Sequence, residues 1–418
     1  MKIVLHEMGT YTHVQELAKA LAARGHEVAY LYCPSSQTPS HSSMCFVPGD
    51  GVNVITINLD SQFAKWQLVK RFVQERAYGA QVASVMARLR PDLIVSGNTP
   101  IEIQAAIQKM CQRSETPFLF WLQDIYSIGV KSVLATMPVI GQLVATRYGS
   151  LERRVARGSD CVLAISDDFR DRVIGWGVDA PRVVVIENWG AMPAGPQPAK
   201  DNEWAARHSL LGKRVLLYSG ALGFKHNPQL FLDLAMEFRA DPDVRIVVIS
   251  EGRGAEWLSL RRREFPGLLL LPFQAAEDFQ KALAVADVLV AILEPRAAQY
   301  SVPSKVLAYM AAGRPILAAM PADNLAARTI SAASAGLTVD PENLSELRRL
   351  ARSLIEDGDC RERLGAAGLA YARANFEIND IAARFEQIFN RFTRQSSNSV
   401  VPSIESGRHP RKQIGTCD

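Results

Sequence analysis

Hydrophobic positions in the first half of the chain follow one repeated pattern. Short β-branched and aromatic runs, typical of buried strands, alternate with stretches whose apolar residues recur every three or four positions. In the first such stretch Val14, Leu17, Ala18 and Leu21 share one helix face. The predicted strands cover residues 2–6, 28–32, 52–57, 92–96, 118–122, 162–165 and 183–186. Strands that alternate with helices predict a parallel, doubly wound α/β sheet.

The same alternation resumes after an interruption. Residues 190–200 read GAMPAGPQPAK, and three prolines and two glycines in eleven residues indicate a linker. Further strands are predicted at 215–219, 244–249, 268–271, 288–293 and 315–318, with a helix at 227–238. The pattern therefore predicts two Rossmann-like domains, over residues 1–192 and 205–376, that face a cleft. Ligands of such sheets bind beyond the carboxyl ends of the strands.

Two further segments close the chain. Residues 379–392 place apolar side chains at helical spacing, which is too apolar a stripe for a free surface. Its members are Ile381, Ala382, Phe385, Ile388, Phe389 and Phe392. Residues 393–418 are polar, basic and without periodicity, and we expect a disordered tail there.

Composition narrows the classes of function. Of 418 residues, 48% are hydrophobic and 22% charged, with a net charge of +4, which favours a globular protein and gives no support to nucleic-acid binding. Six scattered cysteines suit a reducing compartment better than a disulfide framework. No signal peptide is evident, and no stretch approaches the roughly 20 apolar residues of a membrane helix. We expect a cytoplasmic protein.

Three segments that follow or precede predicted strands carry candidate anion-binding chemistry. In YSGALGFKHN, Gly220 and Gly223 permit close approach of a ligand and Lys225 adds charge; the alternative is a flexible turn with a solvated lysine. In SEGRG, Arg253 is a candidate for a base or phosphate contact, or a solvated turn residue. In VPSKVLAYMAAGRP, Ser304 and Lys305 begin a predicted helix, where an anion is stabilised.

These segments resemble glycosyltransferase family 4, in its bacterial exopolysaccharide, O-antigen and colanic-acid branch. The resemblance rests on SVPSKVLAYMAAGRPILA and YSGALGFKHNP, together with WLQDIY, AISDDFRDRVIGWGV and VIENW, and it covers residues 1–392. It implies a GT-B fold whose last helix, 377–392, crosses back to the N-terminal domain. It also implies a nucleotide-diphosphate sugar donor in the C-terminal domain, and retention of anomeric configuration.

The chain departs from the family pattern at two places. Most members carry two glutamates eight positions apart, where this chain has Tyr300 and Ala308. Because the later glutamate typically holds the nucleotide ribose, this chain must hold it otherwise, with Glu294 as a partial substitute. The arginine usual after the first glycine of the YSG motif is Ala221, so Lys225 should carry more of the diphosphate charge.

In the N-terminal domain the resemblance points to three residues near the reacting sugar. Gly9 lies in the loop after the first strand, and His13 is either a site residue or a helix-surface histidine. Asp124, after the strand at 118–122, is a candidate catalytic carboxylate, with a helix N-cap as the alternative.

Two other patterns bear on metals and membranes. Asp241-Pro-Asp243 and Asp357-Gly-Asp359 resemble a metal-binding motif but fall in turns, where aspartate is common, and we predict no metal or other cofactor. Residues 65–76, KWQLVKRFVQER, combine basic and aromatic side chains that suit an anionic membrane surface, or else a helix packed on its own domain.

The preferred function is therefore a retaining glycosyltransferase, acting from a nucleotide sugar on a polysaccharide or lipid-linked oligosaccharide. A non-catalytic accessory protein of the same fold and a sugar-nucleotide epimerase remain alternatives. A two-domain nicotinamide enzyme is disfavoured because the glycine fingerprint lacks its third glycine.

Overall fold

The computed structural model describes residues 1–35, 46–59, 61, 63–64, 67–134, 138–193, 195–223, 225–298 and 301–393. Lys65, Trp66 and Tyr300 lie outside these ranges, as does the tail predicted beyond residue 393. The predictions made for them remain predictions.

The first half forms a seven-stranded parallel sheet in the order β3-β2-β1-β4-β5-β6-β7. Its strands are β1 (Lys2–Glu7), β2 (Glu27–Tyr32), β3 (Val52–Thr56), β4 (Leu93–Gly97), β5 (Phe118–Leu122), β6 (Cys161–Ala164) and β7 (Val183–Val185). All seven predicted strands are present. β1, β4, β5 and β6 are buried along almost their whole length because helices cover both faces of a parallel sheet.

Among the described residues, six α-helices accompany this sheet: α1 (Thr12–Ala23), α2 (Leu68–Leu89), α3 (Ile101–Ser114), α4 (Tyr126–Val133), α5 (Pro138–Gly158) and α6 (Asp167–Gly175). The helix predicted from residue 65 is first described at Leu68 and continues to Leu89.

The second half forms a six-stranded parallel sheet in the order β10-β9-β8-β11-β12-β13. The strands are β8 (Arg214–Ser219), β9 (Val244–Ile249), β10 (Leu268–Leu271), β11 (Val288–Ile292), β12 (Ile316–Ala319) and β13 (Gly336–Val339). Sequence analysis did not predict β13, since its four residues begin with glycine and contain only two aliphatic side chains. β13 forms because β12 offers it a free edge, from Ile316 to Ala319.

Helices of the second half surround this sheet and then leave it. They are α7 (Glu203–Arg207), α8 (Gln229–Glu237), α9 (Arg253–Ser259), α10 (Ala276–Val285), α11 (Lys305–Ala311), α12 (Leu325–Ala332), α13 (Leu344–Glu356), α14 (Gly358–Asn375) and α15 (Ile378–Thr393).

Helix α15 returns to the first sheet, as predicted. Phe385 and Phe389 are fully buried, and the Phe385 ring lies 5.3 Å from the ring of Trp121 on β5. Glu386 accepts hydrogen bonds from Arg24 and from His26, at the end of α1 and just after it. Apolar burial and a polar rim thus fix the end of the chain to the N-terminal domain.

The two halves meet near the carboxyl ends of their central strands. A side chain at Gly190, which follows β7, would bring its Cβ atom to 2.6 Å from the carbonyl carbon and oxygen of Leu307 on α11. Only glycine permits this approach, so the linker passes directly against the helix that carries Lys305. Across the described ranges, none of the helices is long and apolar enough to cross a membrane.

Candidate functional site

Lys305, the first residue of α11, points its ammonium group into the protein. The Nζ atom lies 3.6 Å above the centre of the Tyr218 ring, at the end of β8. Within the described part of the chain, nothing accepts a hydrogen bond from this buried atom. Burial holds the pKa of Lys305 well below its ordinary value. A negatively charged ligand would satisfy the ammonium and restore its charge.

Gly220 leaves the space that the Lys305 ammonium occupies at the end of β8. Its φ of +145° is unfavourable for other residues, and a Cβ atom here would lie 2.7 Å from the Lys305 Nζ atom. The hydroxyl of Tyr309 accepts from the Ser219 N–H at 3.0 Å and lies 3.2 Å from its carbonyl oxygen. Tyr309 thereby holds α11 against the end of β8.

Lys225 approaches the same region from the loop after β8. Its ammonium donates to the Ser301 hydroxyl at 2.9 Å. The same Nζ atom lies 3.8 Å from the Oδ1 atom of Asp124, which belongs to the other half of the chain. Lys225 therefore reaches across the cleft while Ser301 orients it from its own side.

His226 completes this basic wall, and sequence analysis did not single it out. Its Nδ1 atom accepts from the Gly223 N–H at 3.3 Å. Burial first, then the charges of Lys305 and Lys225, lower the pKa of His226 to about 2. The ring is therefore neutral at physiological pH, and it is close enough to both lysines to sense their charges.

The other predicted donor residues lie around this wall. Ser304 is exposed and precedes Lys305 directly, and its side chain makes no capping hydrogen bond. The Glu294 N–H donates to the Lys225 carbonyl at 2.8 Å, and burial, with the charge of Glu342, raises the pKa of the Glu294 carboxyl. Arg253 is exposed at the start of α9, beyond the carboxyl end of β9.

Asp124 lies two residues beyond β5 and is not the cap of the helix that follows. The Tyr126 and Ser127 N–H groups at the start of α4 donate instead to the Glu152 carboxylate, at 2.7 and 3.3 Å. The Asp124 side chain is 55% exposed to solvent, and its carboxylate faces Lys225. The surrounding protein raises the pKa of the Asp124 carboxyl, and Lys225 acts against that rise.

Gly9 lies in a buried loop that Glu7 anchors. The Glu7 carboxylate accepts from the Tyr11 N–H at 2.8 Å, from the Tyr30 hydroxyl and from the Asn98 amide at 3.4 Å. Burial raises the pKa of Glu7 to about 8, against these hydrogen bonds. Burial also raises the pKa of Tyr11, with contributions from Glu7 and Asp124, so the loop lies close to the cleft carboxylate.

His13 is neither a surface histidine nor a charged one. Its ring meets Trp121 and Trp189 edge-on, with centroids 5.8 and 5.4 Å away. Burial lowers the pKa of His13 to about 4, and its Nε2 atom is buried with no hydrogen-bond partner in the described residues. A neutral imidazole here can exchange a hydrogen bond with a ligand but cannot supply a positive charge.

A side-chain amide pair lies beside Asp124 and was also missed by sequence reasoning. The Asn188 amide donates to the Gln123 Oε1 atom at 2.6 Å. The remaining Gln123 nitrogen and Asn188 oxygen are buried without a partner among the described residues. Because these residues follow β5 and β7, they offer one donor and one acceptor at the carboxyl edge of the sheet.

Both Asp-x-Asp segments serve in turns. The Asp241 carboxylate accepts from the Asp243 N–H at 3.0 Å, and Asp357 caps α14 by accepting from the Cys360 N–H at 2.9 Å. Throughout the described ranges, no three His, Cys, Asp or Glu side chains converge as a metal site would require. Independence from metal remains a prediction.

Two family models match the chain. Residues 8–189 match a glycosyl transferase 4-like domain, and residues 213–357 match glycosyl transferases group 1. Together they include every strand of both sheets except β1, and every candidate residue of the cleft.

Known proteins of this kind are similar over most of their length. WcaI of Escherichia coli K12, named as a colanic acid biosynthesis glycosyl transferase, is 23% identical over 73% of this chain and 78% of its own. Glycogen synthase of Mycobacterium tuberculosis is 24% identical over 91% of this chain and 90% of its own length. The crystal structure of Anabaena HepE with UDP and glucose superimposes with a TM-score of 0.70 at 15% identity, over 94% of this chain and 100% of that one. These likenesses give the fold as GT-B.

Proposed function

Because the chain belongs to the GT-B glycosyltransferases of family 4, we propose that it transfers a sugar, with retention, from a nucleoside-diphosphate sugar. The proposed acceptor is a polysaccharide or a lipid-linked oligosaccharide precursor. The proposed location is the cytoplasm, at the inner face of the plasma membrane.

One observation carries this proposal: the buried Lys305 ammonium, which Gly220 admits at the end of β8, has no hydrogen-bond acceptor in the described chain. A diphosphate bound to this ammonium would also lie within reach of Lys225, because both lysines are close to His226. Transfer makes negative charge grow on the leaving diphosphate. Preorganised cations stabilise that charge most strongly in a site that excludes water.

The proposed reaction uses residues from both walls of the cleft. The bond from the anomeric carbon to the β-phosphate oxygen breaks, and the acceptor oxygen bonds to that carbon on the same face. The acceptor proton passes to the departing diphosphate. Asp124 faces Lys225, and we propose that it holds sugar hydroxyls while Gly9 and His13 line the acceptor side.

The comparisons support the substrate class. HepE binds UDP and glucose in its crystal structure, and the name of WcaI assigns it to colanic acid biosynthesis. The absent ribose-binding glutamate, at Ala308, is compatible with this proposal if Glu294 or the Gln123–Asn188 amide pair supplies polar contacts instead.

The test is donor turnover by the purified chain. UDP- and GDP-sugars are screened by thermal shift, since a ligand at 100 times its dissociation constant stabilises by about 2.7 kcal/mol. Stabilising donors are then incubated with and without oligosaccharide acceptors, and the anomeric configuration of the product is read by NMR. Donor binding without hydrolysis or transfer would favour the accessory-protein alternative; epimerised donor would favour the epimerase.

A further inference from the structure

The N-terminal domain has a second basic region, away from the cleft lysines. Helices α2, α3 and α5 border an open groove with a volume of about 490 Å³. Its charged lining consists of Arg76, Lys109, Arg147, Arg154 and Glu102. Glu102 pairs with Arg147 at 2.6 Å, which leaves an excess of three positive charges in the lining.

Two of these cations contact the same aromatic ring. The guanidinium carbons of Arg147 and Arg76 lie 5.0 and 5.6 Å from the centre of the Phe72 ring. The groove lining carries more positive than negative charge, and an anion bound there would reduce the repulsion among its cations. The charge distribution therefore favours a phosphate or another anionic group.

Exposed apolar side chains lie on two of the helices that border the groove. Val69 and Val73 are 79% and 59% exposed on α2, and Val139 and Leu143 are 73% and 68% exposed on α5. Exposing a large apolar side chain to water is unfavourable. Four such side chains in one region therefore indicate a surface that binds something.

Helical spacing places these side chains in line with the cations. On α2, residues 69, 73, 76 and 80 are four, three and four positions apart and share one face. On α5, residues 143, 147, 151 and 154 are four, four and three positions apart and also share one face. Each helix therefore presents a stripe that is apolar in its first turns and basic along the groove.

The apolar ends of both stripes lie on the cleft side of the domain. Helix α2 leads into the amino end of β4 and α5 into that of β6, so their first turns are nearest the carboxyl edge of the sheet. Asp124 and the start of α4 lie at that same edge, and α4 packs on α5 through the Ser127–Glu152 hydrogen bonds.

We propose that this α2–α5 surface, made of Val69, Val73, Val139, Leu143 and the groove cations, docks the N-terminal domain on an anionic lipid bilayer. The groove takes a lipid phosphate, and the four apolar side chains enter the boundary between headgroups and acyl chains. The docked domain opens its cleft toward the membrane. The surface rests on the proposed function only in that a lipid-linked acceptor would reach the cleft from this side.

The experiment uses the full chain and vesicles, with no sugar substrate. Co-sedimentation is measured with phosphatidylcholine vesicles that contain or lack phosphatidylglycerol. We expect binding to the anionic vesicles that weakens as salt is added. The charge variant Arg76→Gln/Arg154→Gln should partition about 25-fold more weakly, since each basic residue near the surface contributes about five-fold.

Matched variants distinguish binding through this surface from nonspecific adsorption to the vesicles. Val73→Asp/Leu143→Asp should abolish binding, whereas Leu260→Asp, which alters a side chain 78% exposed on the second domain, should not. Arg262→Gln/Arg263→Gln serves as the charge control, because both arginines are exposed on that domain as well. Thermal unfolding confirms that each variant is folded. If Val73→Asp/Leu143→Asp does not fold, the variant Val73→Ser/Leu143→Ser is used in its place.

Several results would overturn the proposal: no sedimentation of folded wild-type protein with anionic vesicles, equal binding to both vesicle types, or equal losses in the control variants. Transfer to a water-soluble acceptor is assayed in parallel. If vesicle binding is absent while that transfer continues, the docking surface fails and the proposed enzyme activity stands.

Discussion

The Lys225 Nζ atom lies 3.8 Å from the Asp124 Oδ1 atom, and the two side chains come from opposite sheets. Because Ser301 also binds this ammonium at 2.9 Å, a single lysine is shared between a carboxylate across the cleft and its own domain. A diphosphate that recruits Lys225 would release Asp124 for the sugar. Donor binding and the chemistry of the opposite wall are then linked through one side chain.

The first prediction concerns Asp124. Asp124→Asn keeps the shape but removes the charge that faces Lys225, and we expect kcat to fall about a hundredfold if the carboxylate acts in the transition state. Donor affinity, measured by calorimetry, should stay within a few-fold of the wild type or rise, because Lys225 gains freedom to bind phosphate. Unchanged kcat would remove Asp124 from the proposed machinery.

The second prediction concerns Lys305. Lys305→Ala should weaken donor binding by roughly 1.5–3 kcal/mol, the usual contribution of a charge-assisted hydrogen bond. Lys213→Ala is the control, since Lys213 precedes the opposite end of β8 and pairs with Asp243 at 2.7 Å. Donor dissociation constants are compared at matched thermal stability. Equal affinities in both variants would show that Lys305 does not contact the donor.

Much of this site follows from local sequence, and the rest depends on neighbours that sequence does not reveal. Lys225 and Lys305 were recognised because each lies beside a glycine turn or a helix start. His226 is adjacent to Lys225, yet its pKa is lowered first by burial and then by Lys305, which is 79 positions away in the chain. Ser301 orients Lys225 through a contact that no periodicity predicts.

The secondary structure likewise contains elements that local sequence predicts and elements that depend on tertiary contacts. Strands such as β5, with five buried apolar or aromatic residues, are predictable from composition alone. β13 is not, because Gly336–Val339 becomes a strand only through pairing with β12. Residues 65–76 were expected to contact either a membrane or their own domain, and only tertiary packing shows that Val69 and Val73 of α2 stay exposed.

The third prediction is metal independence. The cations of the basic wall are side chains, and the turn aspartates 241 and 357 already bind backbone N–H groups. Activity should therefore survive EDTA with no more than a small change in rate. Loss of turnover on chelation, with recovery on addition of Mg²⁺ or Mn²⁺, would require a metal to replace part of the electrostatic scheme.

The fourth prediction is a pH dependence of stability. His6 is 1% exposed, and burial lowers the pKa of its ring from 6.5 to about 3. Between these values the unfolded chain binds one more proton, so acidification below about pH 6.5 should lower the unfolding free energy by up to about 1.4 kcal/mol per pH unit. His6→Gln should make this slope less steep by the contribution of one proton, while the buried His13 and His226 keep theirs.

The neighbouring Glu7 provides the opposite reference. Burial raises the pKa of Glu7 from 4.5 to about 8, so the folded state binds the extra proton and its stabilising effect is lost as pH rises through 8. Urea unfolding at several pH values is compared between the wild type, His6→Gln and Glu7→Gln. Parallel stability curves for wild type and His6→Gln would contradict the assignment.

The last prediction concerns the return of α15 to the first sheet. Phe385→Ala removes a fully buried ring that packs against Trp121 and Trp189, and we expect a loss of about 3–5 kcal/mol of unfolding free energy. Asn390→Ala, on the exposed face of the same helix, should change the unfolding free energy little.

Removing all residues after Thr393 should leave stability and activity nearly intact. A chain ending at Glu377 should aggregate or lose activity, because the apolar surface around Trp121, next to His13, becomes exposed. A well-behaved, active protein ending at Glu377 would show that α15 is not needed to join the two domains.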